Sequence, residues 1–280
     1  MSPAPAGSDA LIPAGLDGTL VLLRHGETTF IVEGRFQGRL PAPLSPLGER
    51  QADLAAARLA RPADPPPLPV PPGWPRAIVH SPLLRTSQVA ERVTAAFERE
   101  ARRRRPGDPG PPAVPPRRSE PGLAEVSQGD WEGLAHAEVK ARYRAELAAW
   151  HRTPLLAHAP GGESLPEVRE RVATGLREIL ADLAVHRPGG APEAAPPWTV
   201  LVGHEGNFKV LLLTLLDLPL ERFWSFPFAL CGISVVDIRG GRAALRAHNL
   251  LGHLAALERT VPAERASGAE SERREATGAL

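Results

Sequence analysis

The chain has 280 residues, within reach of one α/β domain, and its 42% hydrophobic content excludes wholesale disorder. Its 33 Lys and Arg against 32 Asp and Glu leave a formal net charge of +1, which argues against a nucleic-acid protein held by bulk positive charge. One cysteine, Cys231, cannot form an internal disulfide or build a thiolate metal site alone, and no apolar run reaches the ~18 residues of a membrane span. The opening MSPAPAGSDALIPAG has neither a basic n-region nor an apolar h-region, so a cytoplasmic protein is the expectation. Aromatic residues are 5%, so the core must be built mostly of Leu, Val and Ala.

Residues 1–16 are rich in Pro, Ala and Gly and are expected to be disordered, with the folded domain running over 17–258 and a charged, disordered tail over 259–280. Within the domain, Thr19 to Leu23 is a continuous apolar run, as in a buried parallel strand. Ser45 followed by Pro46 signals a helix start, and that helix runs to about Ala60. Arg76 to His80 reads as a short strand. Ser81-Pro82 repeats the start signal for a helix reaching the Arg102 to Arg105 run, which reads as a solvated helix end. Ser164 and Glu167 form a capping-box pattern that opens a helix to about His186. Thr199 to Val202 is the next buried strand, followed by a helix stripe of Phe208, Leu211, Leu212, Leu215 and Leu216. ISVVDI, Gly240-Gly241 and RAALRAHN read as a terminal β-hairpin.

This order predicts a three-layer α/β/α sandwich with a mostly parallel sheet, and a small helical cap from about residues 123–163. Three proline-rich insertions, at about 62–75, 106–121 and 188–197, follow helices and precede strands. Such joints lie at the amino ends of parallel strands, whereas ligands bind at the carboxyl ends, so the insertions should decorate the side away from chemistry.

The carboxyl ends carry the reactive residues. The first strand runs into Arg24-His25-Gly26-Glu27-Thr28, the second into His80-Ser81-Pro82-Leu83-Leu84-Arg85, and the later one into Gly203-His204-Glu205-Gly206. Glu125 lies between them in sequence. Two arginines offer forked donors matched to phosphate oxygens. A neutral imidazole is a competent nucleophile near neutral pH, and a carboxylic acid can protonate a departing alkoxide. No aspartate cluster of magnesium-site character accompanies them, and the remaining histidines show no ligand spacing. Metal-free phosphoryl transfer through a phosphohistidine is the chemistry this set suits.

The segments LLRHGETTF, GRFQGRLPAPLSPLGERQA, VHSPLLRTSQVA, LAEVSQGDWEG, PGGESLPEVRERV and VLVGHEG resemble the histidine phosphatase superfamily, in its phosphoglycerate-mutase-like branch. They occur in family order over about residues 19–250. GDWEG and PGGES look most like the broad phosphatases and the α-ribazole phosphatase type. The resemblance implies His25 as nucleophile and transient phosphate carrier, with Arg24, Arg85 and His204 holding the phosphate oxygens. It implies Glu125 as general acid and then base, and Gln37 and Gly38 as part of the phosphate pocket or its mouth. No cofactor or metal is implied, and the partner is a small phosphorylated metabolite.

Four positions depart from the family pattern. Phe30 and Ile31 stand where a tryptophan-like residue and a phosphate-contacting asparagine are usual, and Pro41 where aspartate is common. Glu205 replaces a glycine or serine after the late histidine and competes with Glu125 for the acid role. Glu163 is explained as well by helix-start electrostatics as by substrate contact. His80 lies near the expected pocket, and Trp131 reads as packing. Two other functions remain: a phosphoglycerate mutase, and a catalytically silent phospho-ligand binder, the latter left open by Ile31. A homodimer also stays open, because leucine-rich helix faces suit a core and an interface alike.

Overall fold

The first strand, β1 (Gly18–Arg24), is buried along its whole length. Successive side chains of a strand point to opposite faces. Leu20 and Leu22 accordingly enter one apolar cluster and Val21 and Leu23 a second on the other face. Both faces of the sheet are therefore covered, and an apolar run without alternation is what such a strand requires. These relations come from a computed structural model that describes residues 10–103, 113–185 and 195–258.

The sheet has six strands. β1 pairs in parallel with β4 (Trp198–Gly203), β4 with β2 (Ile78–His80), and β2 with β3 (Arg117–Ser119). β5 (Ile233–Arg239) runs antiparallel to β1, and β6 (Arg242–Leu250) antiparallel to β5, giving the order β3-β2-β4-β1-β5-β6. The hairpin turn between β5 and β6 is Gly240-Gly241, with φ of 55° and 75°. Two consecutive positive φ values are what a tight turn matching strand twist needs.

A short α1 (Thr29–Val32) follows β1, capped by the Thr28 side chain. Helices α2 (Pro46–Ala60) and α3 (Leu84–Arg103) pack together on one face of the sheet. α6 (Leu165–Val185) and α7 (Glu205–Leu215) pack on the other. Ser45 caps α2 by accepting from the Gly48 N–H at 3.0 Å, and Ser164 and Glu167 close the capping box of α6. Between β3 and α6 lie two small helices, α4 (His136–Arg142) and α5 (Arg144–Arg152). Backbone bonds between Phe36 and Leu134 (3.0 Å) and between Gly133 and Phe36 (2.8 Å) stitch this segment to the loop after α1.

Several details differ from the sequence reading. Leu16 is buried and Leu11 and Ile12 pack on the core, so the packed part begins inside the stretch expected to be disordered. Residues 1–9 and 259–280 lie outside the described residues. The stretch at 106–121 contains β3, unrecognised among its prolines. β3 pairs only through β2 and forms one edge of the sheet, where flanking prolines need not donate to a second neighbour. α3 begins at Leu84 rather than at Pro82; the Ser81 hydroxyl accepts from Leu83 N–H at 3.3 Å but is also engaged elsewhere. α7 is buried on almost every side instead of along one stripe, because the sheet, α6 and a 3-10 segment, Leu220–Ser225, enclose it. Among the described residues no helix is long and apolar enough to cross a membrane. Pro69, Pro71, Pro72 and Pro196 line a groove beside Asp237 and Arg239. Asp237 is the register partner of Thr19, so this groove sits at the amino end of β1.

Candidate active site

The register brings the three strand ends level. Arg24 lies opposite Gly203, and His80 opposite Val202. His25, Ser81 and His204, each the residue that follows its strand, therefore emerge along one edge. The backbone of His25 is fixed there, its N–H donating to Gly203 O at 3.0 Å and its carbonyl accepting from Cys231 N–H at 3.2 Å. The chain leaves β1 through Gly26, against which Gly48 of α2 packs closely. A Cβ at Gly26 would stand 2.5 Å from Gly48 O, so only glycine lets helix and strand end approach this far.

His25 is 2% exposed. Its Nδ1 lies 2.7 Å from the Gly26 carbonyl oxygen. A carbonyl can only accept, so Nδ1 carries the proton and Nε2 keeps its lone pair. Burial first, then the charges of Arg85 and Arg24, hold the imidazole well below the usual histidine range, and it is neutral at neutral pH. His204 is fully buried, its ring 5.2 Å from that of His25 in an edge-on arrangement. Burial and the charge of Arg85 push its titration well down as well. His204 Nε2 lies 2.7 Å from Ser81 Oγ. The Ser81 hydroxyl, which accepts from Leu83 N–H, has one proton to give; donated to Nε2, it corresponds to the tautomer with the His204 proton on Nδ1.

Arg85, 1% exposed, grips the loop after α1. It donates through Nη2 to Gly38 O at 2.7 Å and through Nη1 to Leu40 O at 3.2 Å. Burial lowers its pKa to about 10, opposed chiefly by the nearby carboxylate of Glu125. Arg24 donates through Nη1 to Phe228 O and pairs with Glu205. Among the described residues, Nε of Arg24, Nε of Arg85 and Nδ1 of His204 are buried with no hydrogen-bond partner. A buried donor left unsatisfied is expensive, at about 1–3 kcal/mol each, and an oxyanion is the group that such donors accommodate.

Glu125, also buried, lies against the start of α7. Its Oε1 accepts from Val126 N–H (2.9 Å) and Asn207 N–H (2.8 Å), and Oε2 from Gly206 N–H (3.3 Å). The acid candidate is thereby tied to backbone N–H groups two and three residues past His204. Glu205, its competitor in the sequence, has both carboxylate oxygens on cations, Arg24 and Lys209. Gln37 accepts from the Thr28 hydroxyl at 2.7 Å and so braces the loop. Gly38 has φ of 45°, its N–H donates to Gln128 Oε1 at 3.1 Å, and an added Cβ would overlap Glu132. His80 bonds to the Ser81 carbonyl at 2.8 Å. Trp131 is buried and packs against Phe36, as expected for a core residue.

Glu163 is a hub. Its carboxylate accepts from Arg39 (2.6 Å), twice from Arg171 (2.8 and 2.9 Å) and from Ser127 N–H (2.9 Å). Arg39 and Arg171 each donate to the Glu125 carbonyl at 3.1 Å, and Arg171 also to the Gly122 and Ala124 carbonyls. Asn207 Nδ2 donates to the same two carbonyls. The loop carrying Glu125 is therefore clamped on both sides. The roles of Ser81, Arg39, Arg171, Asn207 and Lys209 were not read from the sequence. Only Lys209 carried a local signal, standing four residues after Glu205 on a helix. The others act across separations that no local pattern marks.

Strand ends, buried unpaired donors and a neutral imidazole together define a phosphate-handling enzyme. A family model of the histidine phosphatase superfamily (branch 1) matches residues 20–251, and the chain belongs to that family. It is similar to glucosyl-3-phosphoglycerate phosphatase of Mycobacterium tuberculosis, 34% identical over 210 residues that cover 73% of this chain and 78% of that protein. It is also similar to phosphoserine phosphatase 1 of Hydrogenobacter thermophilus, 28% identical over 84% of this chain and 93% of that one. The solved structure of mycobacterial glucosyl-3-phosphoglycerate phosphatase with VO3 superposes with a TM-score of 0.63 at 29% identity, covering 83% of this chain and 98% of that one. The protein is a phosphatase of the histidine phosphatase family.

Proposed function

We propose that this phosphatase hydrolyses the phosphomonoester of a small phosphorylated metabolite through a phosphohistidine at His25. The observation that carries the reading is the state of that imidazole: neutral, with Nδ1–H fixed on Gly26 O and Nε2 unprotonated, between two buried guanidinium groups. In the first step Nε2 attacks phosphorus in line with the ester oxygen. The N–P bond forms as the P–O bond breaks, and the leaving alkoxide takes a proton from Glu125. Arg24, Arg85 and His204 Nδ1–H donate to the three nonbridging oxygens, where charge is spread in the transition state. In the second step Glu125, now a carboxylate, takes a proton from water. That water attacks phosphorus, the N–P bond breaks, and inorganic phosphate leaves with His25 neutral again.

The reading places the enzyme in the cytoplasm and assigns the mouth of the site to the loop around Gln37 and Gly38 and to the cap at residues 123–163. It treats the Phe30–Ile31 departure as a loss of one phosphate contact rather than of catalysis. The test is steady-state release of phosphate from p-nitrophenyl phosphate and a panel of phosphometabolites, with and without EDTA. The expected result is turnover unaffected by chelation and a loss of at least about 10³-fold in kcat for His25→Asn. Isomerisation of 3-phosphoglycerate with negligible phosphate release would make the protein a mutase. Phosphate binding without turnover of any ester would make it a binder.

A further inference from the structure

Glu205 is the residue that the mechanism leaves unused, yet it is one of the least exposed charged groups in the protein. It opens α7 directly after His204. Its Oε2 stands 2.5 Å from Arg24 Nη1 and its Oε1 2.8 Å from Lys209 Nζ. The three side chains are 8%, 4% and 3% exposed for Arg24, Glu205 and Lys209. Lys209 lies one helical turn beyond Glu205. Its ammonium sits over the rings of Phe223 and Trp224, 5.2 and 4.6 Å from their centroids. A line of alternating charge therefore runs from the strand end at Arg24, through Glu205, to a cation seated on an aromatic bed. A charge this deep is tolerated only when it is paired, so the middle carboxylate anchors both cations.

The consequence for Arg24 is one of aim. An arginine in an oxyanion site works when one part of its fork is tied to protein and the rest is left for ligand. Nη1 of Arg24 is occupied by Phe228 O and Glu205, while Nε stays buried and without a partner among the described residues. A guanidinium held by a neutral carbonyl alone would be drawn toward each arriving dianion and relax as it left. A carboxylate on the protein side opposes that pull through the whole cycle. Preorganised donors that need not reorganise during reaction are those that stabilise a transition state most.

We infer that Glu205, braced by Lys209, is a positioning residue that fixes the guanidinium of Arg24 toward the reacting phosphate. This inference rests on the reading of His25 and Arg24 given above. It also removes Glu205 as an alternative proton donor, because both of its oxygens already serve cations.

The test compares Glu205→Gln, Glu205→Ala and the double variant Glu205→Ala/Lys209→Met in the full chain. The single alanine variant strands two buried cations and is open to misfolding. The double variant removes the stranded ammonium and puts an apolar side chain on the aromatic bed, leaving Arg24 alone without its carboxylate, so its thermal unfolding is expected between that of the single alanine variant and that of the unaltered protein. The readouts are kcat and KM on p-nitrophenyl phosphate and on β-glycerophosphate, and inhibition by orthovanadate, which mimics the five-coordinate transition state. For the folded double variant the expected result is a loss of about 100-fold in kcat, the scale of a misplaced contact, with vanadate affinity falling in parallel and KM little changed. Glu205→Gln keeps an oxygen for Arg24 and is expected to recover at least about tenfold of that loss on both esters.

A folded double variant with unaltered kcat and vanadate inhibition would overturn the inference. So would a glutamine variant as poor as the alanine one and defective only on β-glycerophosphate, whose leaving group needs a proton. That pattern would make Glu205 an acid. Failure of the underlying reading is seen separately, as the absence of a phosphorylated histidine in the unaltered protein.

Discussion

Replacing Arg85 with lysine keeps a positive charge in the site and removes the fork. The guanidinium gives one bond to Gly38 O at 2.7 Å, a second to Leu40 O at 3.2 Å, and keeps Nε–H buried without a partner among the described residues. A lysine ammonium has three donors but all on one nitrogen, so it cannot reproduce the separate Nη1 and Nη2 bonds to the two carbonyls and has no planar Nε–H for an oxyanion. The loop therefore loses one charge-assisted hydrogen bond, worth about 1.5–3 kcal/mol. For a domain of this size each kcal/mol lowers Tm by about 2–4 °C, so the fold weakens by several degrees and survives. The transition state loses a donor, and removal of one such donor sets a scale of about 2.7–4 kcal/mol, or 10²–10³ in kcat. Kinetics on p-nitrophenyl phosphate and thermal unfolding of the same preparations separate the two effects. A lysine variant with lowered Tm but kcat within about tenfold of the unaltered enzyme would show that Arg85 only tethers the loop, and would refute its place in the phosphate cradle.

Other perturbations have equally definite outcomes. Gly26→Ala drives a Cβ to 2.5 Å from Gly48 O, which forces strand end and helix apart. Overpacking of this kind lowers unfolding free energy by about 1–3 kcal/mol and moves His25, so both Tm and kcat fall; an unchanged Tm would contradict the close approach. Glu163→Ala strips Arg39 and Arg171 of their shared carboxylate and loosens the loop bearing Glu125. The expected result is a fall in kcat, larger on esters with poor leaving groups than on p-nitrophenyl phosphate; equal loss on both would argue against an effect through Glu125.

Stability is expected to fall on acidification. His25 and His204 titrate well below 6.5 when folded. Between 6.5 and those depressed values the unfolded chain binds protons that the folded one does not. Stability from these groups is therefore complete above pH 6.5 and is lost as pH falls below it, at about 1.4 kcal/mol per pH unit for each histidine. His80, His136, His151, His248 and His253 are shifted in the same direction, so the comparison is urea unfolding of the unaltered protein and His204→Asn. The variant should show the shallower slope, and identical slopes would contradict a neutral, buried His204. Catalysis, by contrast, should persist below the ordinary histidine range, since His25 stays neutral there.

How much of this was legible in the sequence follows from the reach of each interaction. β1, β4 and the final hairpin announce themselves locally, through apolar runs and Gly240-Gly241. The meeting of Arg24-His25, Ser81 to Arg85 and Gly203-His204 along one edge was legible because each abuts a strand, and a parallel sheet brings carboxyl ends together. β3 was hidden because an edge strand of three residues flanked by prolines has no apolar signature. The seating of Ser81 on His204 was hidden because a serine before a proline reads first as a cap. The clamp on Glu125 joins Arg39 to Glu163, 124 residues further along the chain, and to Arg171 beyond it, and only the folded arrangement shows that they meet.

The central claim concerns one nitrogen of one side chain. Rapid quenching of the enzyme during turnover of a radiolabelled phosphate ester, followed by peptide mapping at alkaline pH, tests it most directly. The account predicts label on the peptide bearing His25, stable to alkali, discharged by acid, and formed and lost as fast as product appears. Turnover with no protein-bound label, or with label that survives acid on another residue, would contradict it.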